Sequence, residues 1–164
     1  MKAGRLRRLT VGEQGLAREV FGERIAPGKV FVFALPLWPR PFVAGSRLMV
    51  WPARSALEDF ADPGTPLSLA AVFVHELTHV WQAQNGINLL IGKLKAGDRA
   101  ASYAYDLGGA PDFSRLNIEQ QAMVVQHAFT LRRGGRAPYD ATAYASVLPD
   151  WRSNPQDDAE RRQT

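Results

Sequence analysis

Residues 72–82 read Val72-Phe73-Val74-His75-Glu76-Leu77-Thr78-His79-Val80-Trp81-Gln82. Two histidines stand four apart, with a glutamate directly after the first. On a helix four residues advance about 400°, so His75 and His79 lie within about 40° of one another, one turn apart. Imidazoles stacked in that way both reach one tetrahedral divalent ion, with Zn–N bonds of about 2.0–2.1 Å. Glu76 is turned about 100° from His75. That is too far round for a natural third ligand, yet it is where a carboxylate meets water at the ion and takes its proton. Val72, Val74, Leu77 and Val80 are apolar, so the helix is buried, and buried histidines require a partner or a metal. Composition alone yields the five-residue pattern in well under about 1% of chains of this length.

A catalytic tetrahedral site with one open position needs three protein ligands. The chain has no cysteine, and only His127 remains of its 3 histidines, so a carboxylate is favoured as the third. Glu119, in Leu116-Asn117-Ile118-Glu119-Gln120-Gln121-Ala122, opens a second helix whose apolar positions Ile118, Ala122, Val125 and Phe129 recur every three or four residues. Ala122, one turn on, permits close approach of another helix. An acidic residue in a first turn also simply complements the helix dipole. His127 lies about 12 Å further along that helix and about 80° round, and reads as a surface or packing residue. Asp106 and Asp112 are either acceptors for a ligand histidine or turn chemistry. Of Tyr103, Tyr105, Tyr139 and Tyr144, Tyr105 is the candidate to stabilise an oxyanion. Trp38, Trp51, Trp81 and Trp151 read as core or rim.

Around these helices the chain organises as one domain. Its 164 residues suffice for one core, and 46% hydrophobic against 22% charged residues is a globular composition. Thr10-Val11-Gly12-Glu13 is a capping box for a helix ending near Gly22. Val30–Leu35 is a strand, and Leu48–Trp51 reads as its hairpin partner across a loop carrying Pro36, Pro39, Pro41 and Gly45. Thr65 or Ser68 caps the His75 helix, which stops at Asn85-Gly86. Asn88–Pro111 reads as loops around a helical turn at Leu89-Leu90-Ile91, because Gly92, Gly97, Gly108 and Gly109 interrupt it. Asn117 caps the Glu119 helix with Gln120, and that helix ends near Arg133 at Gly134-Gly135. Tyr139–Val147 reads as a last short helix. The expectation is an α+β domain over residues 10–151 with a small antiparallel sheet, a basic arm over 1–9 and a disordered tail over 152–164.

The net charge of +4 does not describe a nucleic-acid face: Lys2, Arg5, Arg7 and Arg8 carry the whole excess, and the other basic residues equal the 16 acidic ones. No apolar signal core follows the arm, and no apolar run spans a membrane. The expected location is cytoplasmic, or outside by way of a dedicated secretion machine.

His75-Glu76-x-x-His79 with a distant glutamate resembles the zincin metallopeptidases whose third ligand is glutamate. The wider strings FVHELTHVWQAQNG, DFSRLNIEQQA and LTVGEQGLAREVFG resemble small bacterial Vgr-related or Rhs-associated proteins, a likeness covering about residues 5–133. The resemblance implies a small sheet, an active-site helix and a second helix bringing Glu119 to a Zn2+ ion held by His75 and His79. It implies peptide hydrolysis with Glu76 as general base, a peptide or protein substrate, and a secretion-system partner. A zinc-stabilised adaptor without turnover, or an enzyme covered by its own segment 87–116, remain the alternatives. Many glutamate zincins carry an aspartate four residues after the ligand glutamate to support a ligand histidine. Here that position is Met123, so the acceptor comes from elsewhere, the site is tuned without it, or Glu119 is not the ligand.

Overall fold

A computed structural model describes residues 1–97 and 100–150 of the chain. The element that organises it is α2, Leu67–Gln84, an 18-residue helix buried on nearly every side from Ala71 to Gln82. Such a helix is a central post rather than a surface element. One side receives the sheet: Phe73 stacks on Phe60 with ring centroids 4.8 Å apart, and Phe60 lies 4.3 Å from Trp51. Another side receives α5, Ile118–Arg132, through Ile118, Ala122, Val125 and Phe129 among its buried residues. Ala122 is fully buried, as its small size predicts for a close helix pair.

The sheet has four strands in the order β1-β2-β4-β3, with β1 Leu6–Arg8, β2 Phe31–Leu35, β3 Phe42–Ala44 and β4 Leu48–Pro52. The two strands read as a hairpin pair are adjacent, but they run parallel, Phe31 opposite Leu48 and Leu35 opposite Pro52. The sheet is therefore mixed, not antiparallel. The proline-rich stretch 36–41 crosses past β4, and residues 42–44 form a third short strand. Its turn, with Gly45 at φ +63, makes the actual hairpin with β4. Both β2 and β4 are interior strands; β3 is an edge.

α1, Val11–Phe21, carries the Thr10–Glu13 capping box in full. Glu13 does more than cap. Its carboxylate is completely buried, accepts a two-pronged bond from Arg7 at 2.6 and 2.7 Å, and also accepts the Thr10 and Phe60 amides at 2.9 Å. Residues 6–8 of the basic N-terminal segment thus pair with β2 in antiparallel register, and Arg7 serves the interior while Arg5 pairs with exposed Glu58.

α2 has Pro66 at its cap position and no side-chain cap, since Thr65 instead donates to the Asp59 carbonyl. Beyond Gly86, the segment expected to be mostly loop forms α3, Leu89–Ala96, capped by Asn88, then α4, Ala100–Tyr103. Gly92 lies inside α3, where a Cβ would stand 2.9 Å from Ile118. The glycine marks close helix approach rather than a break. α5 has the Asn117–Gln120 capping box, and α6 spans Ala141–Val147 behind Asp140. The tail from 152 and Trp151 lie outside the described residues.

Removing Glu13 leaves half-buried Arg7 without its carboxylate and the Phe60 amide without its acceptor, so Glu13→Ala is expected to cost about 3–5 kcal/mol in urea unfolding. A loss below about 1 kcal/mol would contradict this role.

Candidate metal centre

α2 presents His75 and His79 from successive turns, their ring centroids 5.0 Å apart and nearly perpendicular. α5 meets α2 at its first turn, which aims Glu119 between them. Glu119 Oε2 lies 3.4 Å from His75 Nε2 and 3.3 Å from His79 Nε2. All three residues are buried, and one ligand atom from each lies within 4.8 Å of the others. These carboxylate–imidazole separations are long for hydrogen bonds. They equal the edge of a tetrahedron, about 3.3–3.4 Å, built on metal bonds of about 2.0–2.1 Å. Two imidazoles and one carboxylate also match the donor set of an open zinc site. The three side chains fit a divalent ion.

A chain of amides sets the tautomer of His79. Gln121 Nε2 donates to the carbonyls of Phe113 and Leu116, at 3.0 and 3.2 Å, so its Oε1 must accept. Gln82 Nε2 supplies that bond at 2.8 Å and donates to the Ile118 carbonyl at 3.0 Å. Gln82 Oε1 is thereby turned to His79 Nδ1, at 2.8 Å. Since backbone carbonyls only accept, the order of donors along the chain is fixed. His79 carries its proton on Nδ1 and offers the lone pair of Nε2 to the centre. Gln82 fills the acceptor role that Met123 cannot. His75 Nδ1 is buried without a hydrogen-bond partner.

Burial alone would lower the His79 pKa, but the Glu119 carboxylate beside it, the charge of Glu76 and the bond to Gln82 outweigh it and raise the value above 6.5. Burial pushes Glu119 up, yet the adjacent His75 and His79 imidazoles and the Lys93 charge hold it well below the usual carboxylate range. Lys93 of α3 approaches Glu119 Oε1 to 3.5 Å, on the oxygen not shared with the histidines.

The centre opens into a cleft of about 680 Å³. Trp38, Arg40 and Phe42 stand on the β2–β3 side, and Lys93, Gly97 and Tyr103 on the other. From segment 87–116, Lys93, Gly97 and Tyr103 are cleft-lining residues. Glu76 lines it too, 5% exposed, with Oε2 buried and unpartnered.

Tyr105 is not among the lining residues. Its hydroxyl sits 2.6 Å from both His127 Nδ1 and the Tyr144 hydroxyl, and burial followed by Tyr144 and Tyr139 pushes its pKa far up. The tyrosine at the cleft is Tyr103, whose ring lies 6.5 Å from that of His75. His127 is held in the Tyr105 cluster, as a packing histidine would be. Asp106 and Asp112 cap local turns through Gly108 and Ser114, and Asp106 also accepts from Tyr139. Gln82, Gln121 and Lys93 are not singled out by the sequence reading. The spacing of Gln82, three residues after His79 on the same helix face, is the one signal that points to it.

The fold and this centre together define an α+β domain with a zincin-like His-His-Glu site. Residue by residue, the chain is homologous to the effector domain of a type VI secretion system spike protein. It is 31% identical over 163 residues to the spike protein VgrG2b of Pseudomonas aeruginosa (strain PAO1), a match covering 88% of this chain and 15% of that protein. The solved effector domain of Pseudomonas aeruginosa VgrG2b superposes with a TM-score of 0.67 and 28% identity, covering 87% of this chain and 84% of the domain. The chain thus spans a small fraction of the curated relative but most of its effector domain. No protein-family model matches the chain.

Two outcomes follow for metal uptake. A raised His79 pKa means that a proton competes with the ion, so affinity falls as pH is lowered through that pKa, starting above about 6.5; Glu119, held low, stays ionised and adds no second proton there. Isothermal titration across pH reads this, and pH-independent binding between about 5 and 8 (roughly one and a half units either side of 6.5) would contradict it. Gln82→Ala is expected to weaken binding by about 10–100-fold without unfolding the chain.

Proposed function

We propose that this domain is a zinc-dependent metallopeptidase, carried to its substrate by a type VI secretion spike as the VgrG2b effector domain is part of one. The observation that carries the reading is Glu76. A buried carboxylate kept for structure has its oxygens satisfied, as those of Glu13 are, whereas Glu76 Oε2 is left without a partner in the cleft beside the triad.

His75, His79 and Glu119 would hold the zinc. When bound, the ion supplies a Lewis acid that acidifies water and polarises a peptide carbonyl. Glu76 Oε2 takes the proton of the attacking water and returns it to the departing amide nitrogen. Gln82 keeps His79 in the tautomer that ligates, and Lys93 holds the outer oxygen of Glu119 so that the inner one stays aimed between the histidines. No partner strand covers the outer edge of β3 among the described residues, and Phe42 and Pro41 stand in the cleft wall. An extended substrate pairs with β3 there, because β2 and β4 are interior strands.

Glu76→Gln keeps every ligand and removes the base. It is expected to retain zinc by atomic absorption while losing at least about a hundredfold in cleavage of a peptide library. Zinc retained with equal cleavage in both proteins would contradict the role of Glu76, and zinc retained with cleavage in neither would make the domain a binding module.

A further inference from the structure

Seven large apolar side chains are exposed among the described residues, and five stand on the two segments that supply cleft-lining residues: Leu37 and Trp38 in the β2–β3 loop, and Leu90, Ile91 and Leu94 on α3. The helix explains the α3 group. At about 100° per residue, Leu89, Gly92, Lys93 and Ala96 share one face, and Leu90, Ile91 and Leu94 the opposite one. The first face is used inside: Leu89 is buried, Gly92 admits Ile118, and Lys93 reaches Glu119. The second faces outward, with Leu90 71% and Leu94 76% exposed. Across the cleft Leu37 projects fully, held by backbone at φ +57 that leucine rarely adopts.

The two segments that carry these side chains hold cations and no acidic residue: from Ile25 to Leu57 and from Leu77 to Gly97 the chain includes Arg40, Arg54 and Lys95, besides the Lys93 that reaches Glu119. Arg54 braces the loop by donating to the Pro39 carbonyl at 2.9 Å. A peptide docks in a concave groove with its apolar anchors received by pockets. Here the apolar side chains protrude, which is the shape that inserts into a bilayer, with cations and a tryptophan at the headgroup level.

We propose that the two lips of the cleft form a peripheral membrane-docking surface for an anionic lipid bilayer, with Leu37, Trp38, Leu90, Ile91 and Leu94 entering the headgroup region and the neighbouring cations contacting lipid phosphates. No helix of the described residues is long and apolar enough to cross a membrane, so the attachment is superficial. The inference does not depend on hydrolysis.

Co-sedimentation of the full chain with vesicles tests it, comparing phosphatidylcholine alone with mixtures containing about one third phosphatidylglycerol. The chain is expected to sediment with the anionic vesicles and only weakly with the neutral ones. Leu90→Ser with Leu94→Ser should weaken binding about tenfold, whereas Leu6→Ser with Val11→Ser, at exposed apolar positions elsewhere, should not change it. Glu76→Gln should bind like the wild type, which separates this surface from the reaction. Leu37→Ser, on the other lip, provides the same reading if the α3 double variant does not fold. Absence of binding would overturn the proposal, as would full binding by the α3 variant, which would reduce the effect to net charge. A lipid-free dimer broken by the same substitutions would assign the surface to a second copy and also overturn it.

Discussion

A carboxylate 2% exposed to solvent must be compensated or protonated. Glu119 is such a carboxylate, and the two long helices meet at it. α5 brings it to α2 within its first turn, where two imidazoles face one of its oxygens and an ammonium group the other. Most of the fold can be understood as the support for that meeting. Phe60, Phe73 and Trp51 tie α2 to the sheet, Ala122 lets α5 lie close, and Gly92 lets α3 bring Lys93 over the top. Without a metal ion between the histidines, the carboxylate has only Lys93 at 3.5 Å and proton sharing with histidine over distances too long for good hydrogen bonds. With a divalent ion, the same distances become those of a coordination shell.

The supporting polar network belongs to the same argument. Gln82 and Gln121 are buried amides, each a liability unless its donors and acceptors are matched. Here carbonyls of the segment before α5 fix one end, and His79 takes the other, so orientation passes from the backbone to an imidazole. The neutral amide carbonyl replaces the aspartate that many glutamate zincins use, and adds no negative charge to the centre. The cleft that results is lined by the cations Arg40 and Lys93 and by Trp38, Phe42 and Tyr103, and its acidic lining among the described residues is Glu76 and Glu119.

The centre was legible in the sequence because helical spacing converts directly into geometry: positions 75 and 79 must share a face, and an acidic residue near an Asn-x-x-Gln helix start must sit in its first turn. The capping boxes at Thr10 and Asn117 were legible for the same local reason. What the sequence did not disclose depends on contacts between distant segments. The proline loop says that a strand ends at Leu35 but not that the chain crosses to make β2 and β4 parallel. Gly92 reads as a helix breaker until Ile118 is placed against it. Arg7 counts as surface charge until Glu13 is found buried beside it. Tyr105 and Tyr103 differ by two positions in a segment without clear period, and only the fold decides which reaches the cleft.

Anomalous diffraction at the zinc edge, from crystals of the metal-loaded chain, tests the central claim most directly. The account predicts one peak lying about 2.0–2.2 Å from His75 Nε2, His79 Nε2 and one oxygen of Glu119, with a fourth position open to the cleft. A peak elsewhere, a fourth protein ligand closing the site, or no peak with the three side chains still converged would contradict it.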